Sequence, residues 1–90
     1  FPENLESLLL SDNHIHTLKN VIFPDFLKFL RLSNNKISSL ADAIFPDSLE
    51  ELNVANNRIS NLNNVNFPRY LYELSLYGNP IPENQRKTNR

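Results

Sequence analysis

Apolar residues recur along this chain at an interval of 22 positions. A Phe-Pro pair stands at 1–2, 23–24, 45–46 and 67–68. Aligned on those pairs, Leu5, Leu27, Leu49 and Leu71 form one column, and Leu8, Leu30, Leu52 and Leu74 a second. A third holds Leu10, Leu32, Val54 and Leu76. Asn13, Asn35, Asn57 and Asn79 make a polar column, followed two positions later by Ile15, Ile37, Ile59 and Ile81. Leu18, Leu40 and Leu62 extend the frame, which the fourth unit breaks with Asn84. The chain therefore divides into units 1–22, 23–44, 45–66 and 67–90, each written FPxxLxxLxLxxNxIxxL until the frame fails.

The central LxL alternates with the period of a β-strand. So short a strand has no partner within its own unit, and equal unit lengths set it parallel to the strand of the next unit, about 4.8 Å away. The leucines then face inward and the residues between them outward. A neutral amide both donates and accepts, so the asparagine where the chain leaves the strand suits a turn whose backbone groups need partners. Each proline bars the preceding phenylalanine from the α region. The short interval from Leu18 to Leu27 also carries β-branched residues and asparagine. Short 3-10 or extended turns are expected there, with little α-helix, and the phenylalanine column is expected to form a spine of stacked rings behind the sheet.

These motifs carry a family resemblance over essentially the whole chain. Four copies of LxxLxLxxN at fixed spacing resemble the leucine-rich repeats. The FPxxL opening is similar to variants in protist and oomycete proteins and to the LPxxL opening of bacterial effector repeats. The resemblance implies an α/β-type repeat solenoid, a right-handed superhelix with its parallel β-sheet on the concave face. It also implies a structural ladder of Asn13, Asn35, Asn57 and Asn79, and residues 1–90 as one repeat domain or a fragment of one.

Eight apolar residues fall outside the core columns: Leu9, Phe26, Phe29, Ala41, Ala55, Tyr70, Tyr72 and Tyr77. Every other apolar residue is assigned to the core, Ile22 and Ile44 included. Leu9, Phe29, Tyr72 and Tyr77 lie on or beside the strand segments. The outward strand positions form a grid: Ser7, Leu9 and Ser11, then Phe29, Arg31 and Ser33, then Glu51, Asn53 and Ala55, then Glu73, Ser75 and Tyr77. The core columns repeat while this grid varies. Aromatic side chains and arginine are the types enriched at binding hot spots. The candidate partner-binding residues are Leu9, Phe29, Arg31, Glu51, Asn53, Tyr72, Glu73 and Tyr77.

Composition narrows the chemistry. Nine basic against ten acidic residues give a formal charge of −1, which argues against nucleic acid as partner. With no cysteine there is no disulfide, thiolate nucleophile or cysteine-held zinc. The single glycine, Gly78, excludes a glycine-rich phosphate loop. No apolar run is long enough to cross a bilayer, so no membrane association is assigned. Asparagine accounts for fifteen residues, a composition that suits repeated turns. Asp12, His14 and His16 carry donor types that bind zinc, but no other unit repeats the arrangement and solvated histidines fit it better. Glu51 and Glu73 share a column, yet an open sheet desolvates them little and tunes their acidity weakly. No catalytic residue, metal or cofactor is assigned. His14, Lys36, Arg58 and Pro80 make a loop stripe, and Arg86, Lys87 and Arg90 a basic ending; both read as solvated charge.

The first unit opens in mid-pattern and the fourth departs from it after Gly78-Asn79-Pro80-Ile81-Pro82. The chain is read as the carboxyl-terminal part of a longer array or an excised module, whose uncapped ends predict self-association or low stability. The lack of cysteine and of any Asn-x-Ser/Thr sequon points to an intracellular location. The function expected is a non-enzymatic module that binds a protein through its concave face. Two alternatives stand beside it: a recognition segment of a larger enzyme, such as a receptor-like kinase or ubiquitin ligase effector, and a structural spacer.

Overall fold

The computed structural model describes residues 1–86; of the basic ending, Lys87 and Arg90 lie outside the described residues. Four strands form one sheet in the order of the chain: β1 (Ser7–Leu9), β2 (Phe29–Arg31), β3 (Glu51–Asn53) and β4 (Glu73–Ser75). Every pairing is parallel, and every register step is one repeat: Leu8 opposite Leu30, Leu30 opposite Leu52, Leu52 opposite Leu74. Each ladder opens on a shared acceptor. The Glu6 carbonyl accepts from the N–H groups of Lys28 and Phe29, Lys28 from Glu50 and Glu51, and Glu50 from Tyr72 and Glu73. A four-residue helix, α1 (Glu83–Arg86), follows β4.

The return path is built from tight turns, with the i→i+3 hydrogen bond of a 3-10 turn and no helical run. Leu5, Leu27, Leu49 and Leu71 each donate to the proline three residues before, at 3.1–3.3 Å. Val21 and Ala43 close equivalent turns onto Leu18 and Leu40. A short polar side chain stands at the start of this segment in each of the first three units: the side-chain oxygens of Thr17, Ser39 and Asn61 accept from the N–H two residues ahead, at 3.0–3.1 Å. Such local capping favours turns over helix.

Leu27, Leu30, Leu32, Ile37, Leu40 and Leu49 are completely buried, as are Val54 and Ile59. Full burial of one such side chain contributes about 1.5–3 kcal/mol. Their counterparts Leu5, Leu8, Leu10 and Ile15 are only half-buried. Within the described residues the second and third units are flanked on both sides, and the first is flanked by the second alone. The phenylalanine rings stack in two steps, Phe1 on Phe23 at 6.4 Å and Phe23 on Phe45 at 6.2 Å between centroids. Phe67 packs half-buried against the same core. The rings are spaced wider than the roughly 4.8 Å between strands, which fits a solenoid whose sheet lies on the inner side of the curve.

One assignment from the sequence is corrected here. Ile22 and Ile44 are not core: they are 87 % and 73 % exposed. The backbone into each Phe-Pro pair is extended, so its side chains alternate. Ala43 and Phe45 are buried and Ile44 stands outside, while Val21 and Phe23 flank Ile22 in the same way. Asn66 occupies this column in the third unit and is exposed too.

Candidate functional site

The sheet places two outward columns side by side. Ser7, Phe29, Glu51 and Glu73 are register partners, and so are Leu9, Arg31, Asn53 and Ser75. Before the strands runs a row of Glu6, Lys28, Glu50 and Tyr72, and after them Ser11, Ser33, Ala55 and Tyr77. Phe29, Arg31, Glu51, Asn53, Glu73 and Ser75 line one shallow hollow of about 60 Å³ across β2–β4. That space receives the tip of a side chain; a small-molecule pocket needs about 300–1,000 Å³. Five of the eight residues singled out in the sequence meet here. The other three stand apart: Leu9 on β1, Tyr72 before β4 and Tyr77 beyond it, each exposed.

The charges of this face are divided. β2 and the residue before it supply Arg31 and Lys28, while the β3 and β4 segments supply Glu50, Glu51 and Glu73. Among the described residues, no carboxylate lies within 4 Å of the Arg31 guanidinium; the ion pair formed on this side is Lys28 with Glu6, at 4.0 Å and solvated. The Tyr72 hydroxyl registers the acidic side. Its pKa is raised above the ordinary tyrosine value, first by the charge of Glu51, then by desolvation, then by Glu50 and Glu73. Asn53 is partly committed to its own turn, where its Oδ1 accepts from Ala55 N–H at 3.0 Å.

The loops leaving the sheet are held by the asparagines. Asn57 Nδ2 donates to Leu32 O of the preceding unit and to Val54 O of its own, at 2.9 and 3.0 Å, and its Oδ1 accepts from Ile37 N–H at 3.0 Å. Asn35 and Asn79 repeat this arrangement, and all three are buried. Asn13 is exposed, and its Nδ2 bonds only to Leu10 O and Ser11 O within its own loop. Among the described residues no buried side-chain nitrogen or oxygen lacks a partner.

A neighbouring column escaped the sequence reading. Asp12, Asn34, Asn56 and Gly78 all adopt positive φ, from 57° to 79°. Asparagine, aspartate and glycine tolerate that region best, so the succession D, N, N, G was the available signal. Asn34 Nδ2 donates to Asp12 Oδ1 at 2.9 Å, and Ser33 Oγ to Ser11 Oγ at 2.8 Å, which ties the loop edges together. His14 and His16 are exposed, and among the described residues no three His, Asp or Glu side chains converge on a common point. Lys36 is half-buried and Arg58 and Pro80 exposed along the loop stripe.

The Leucine Rich Repeat family model matches residues 4–26, 26–46 and 48–69. The chain belongs to the leucine-rich-repeat family. Such repeats generally mediate protein–protein interaction and are typically non-catalytic. The family match stops at residue 69, yet β4 of the fourth unit pairs in the same register as the others. Neither the comparison with curated proteins nor that with solved structures returns a match.

Proposed function

We propose that this leucine-rich-repeat chain is a non-catalytic binding module that seats a segment of another protein across its concave face. Phe29 and Tyr77 supply apolar anchors. Arg31 on one side of the hollow and Glu51 and Glu73 on the other set the orientation of the bound segment, since charge placement governs register and partner choice. The observation that carries the reading is the contrast between columns. The inward positions repeat from unit to unit, whereas the outward ones vary along the array and leave the side chains of Arg31, Glu51 and Glu73 outside the bonding that holds the fold.

Size bounds the affinity. Four strands span about 15 Å across, and a standard interface needs roughly 800 Å² per partner. A segment lying only on β1–β4 buries less than that, so contact extends to the rows before and after the strands or the complex is transient. The test begins with a displayed peptide library selected against the 90-residue chain. Replacing Phe29, Arg31 and Tyr77 together by alanine is expected to abolish binding of the selected peptides with the fold intact by circular dichroism. Retained affinity in that variant refutes the concave assignment.

A further inference from the structure

The back of the molecule carries a second ordered surface that the concave reading does not use. Between successive units lie three hollows in a row. The first, about 280 Å³, is lined by Phe1, Glu3, Ile22 and Asp25; the second, about 160 Å³, by Ile22, Asp25 and Ile44; the third, about 320 Å³, by Ile44, Asp47, Phe67 and Arg69. Phe23 lines the first two and Phe45 the last two. Ile22 and Ile44 are the shared walls, and they stand in water without a packing role.

Each hollow thus joins apolar surface to a carboxylate, and the carboxylates share a column: Glu3, Asp25, Asp47, ending at Arg69. Among the described residues, none of the three carboxylates has a basic group within 4 Å. Lysine and arginine fit this combination, because their stems cover apolar surface while the charged head reaches outward.

The spacing selects a conformation. The stacked rings beneath the row repeat at 6.2–6.4 Å. In an extended peptide, residues i and i+2 face one way and lie about 6.6–6.8 Å apart. A helix has a similar rise between i and i+4, but its cylinder, about 10–12 Å across, rides on the projecting Ile22 and Ile44 and is held off the hollows.

We infer that the convex ridge of Ile22 and Ile44, flanked by Glu3, Asp25 and Asp47, is a docking surface for an extended basic segment with lysine or arginine at alternate positions. The segment runs along the solenoid axis, places one basic side chain beside each of Glu3, Asp25 and Asp47, and stops where Arg69 replaces the acid. This surface is independent of the concave face.

The probe is a fluorescein-labelled nonapeptide of alternating lysine and threonine, titrated by anisotropy against the 90-residue chain in low salt. The control has the same composition with its lysines contiguous. The alternating peptide is expected to bind about fivefold tighter than the control, with affinity that falls as salt is added. Asp25→Asn with Asp47→Asn, and separately Ile22→Ser with Ile44→Ser, are each expected to weaken it about fivefold. Arg69→Asp is expected to tighten it about twofold, a gain that misfolding does not mimic. The concave triple replacement of Phe29, Arg31 and Tyr77 leaves it unchanged. Equal affinity for the two peptides, indifference to the convex replacements, or loss in the concave variant each overturns the proposal.

Discussion

Replacing Asn57 by alanine separates a structural asparagine from a merely local one. The Leu32 carbonyl accepts from Asn35 as well as Asn57, and the Val54 carbonyl from Asn57 as well as Asn79. Each therefore keeps one partner when the Asn57 amide is removed. The Ile37 N–H does not, because Asn57 Oδ1 is its acceptor and the site is buried. An orphaned buried donor costs about 1–3 kcal/mol, and the two weakened carbonyls add about 0.5 kcal/mol each, so the expected loss is about 2–4 kcal/mol. Asn13→Ala removes only solvated bonds within its own loop and is expected to cost less than about 1 kcal/mol. Urea unfolding followed by far-ultraviolet circular dichroism reads both. With a slope of about 1–3 kcal/mol/M, the Asn57 variant loses roughly 0.7–4 M in midpoint. If the two variants fall within about 0.5 kcal/mol of one another, the bridging role assigned to the buried amides is refuted.

Two further outcomes follow from local geometry. Gly78 has φ +79°, and an added Cβ meets the Asn56 side chain. Gly78→Ala is therefore expected to cost about 1–2 kcal/mol in the same assay. Gly78→Asn is expected to cost less, since Asn34 and Asn56 hold that conformation already and Asn34 pairs with Asp12; equal costs contradict the explanation. Tyr72 ionises above the ordinary tyrosine value, so the neutral phenol's contribution to stability is present below that value and is lost as pH rises through the folded one. Glu51→Gln is expected to lower the Tyr72 midpoint in an NMR titration, and by more than Glu50→Gln or Glu73→Gln, because Glu51 is its largest perturber. An unmoved midpoint removes the acidic cluster from the description of this face.

The convex column shows where pattern reading fails. Ile22 and Ile44 are apolar, in frame and next to core phenylalanines, and on frequency alone they belong inside. Asn66 in the same column of the third unit was the warning. Inside and outside along the return path depend on how the extended backbone alternates into each Phe-Pro pair, and the 22-residue period does not specify that phase. The first unit shows a different failure. Leu5, Leu8 and Leu10 match their counterparts in type but not in burial, because coverage by a neighbour is not a property of a single unit.

Sequence alone determined the strand register and the inward leucines. Units of equal length, each too short to pair with itself, leave only a parallel stack stepped by one repeat, and the LxL alternation then settles which side faces in. Tertiary structure decided how surfaces combine. It brought Phe29, Arg31, Glu51, Asn53 and Glu73 around one hollow, set Tyr72 among three carboxylates, and turned Ile22 and Ile44 out beside a row of acids. Those groupings join residues a full repeat apart, and their distances follow from the curvature and splay of the stack, which arise from packing between units and are not written into any one of them.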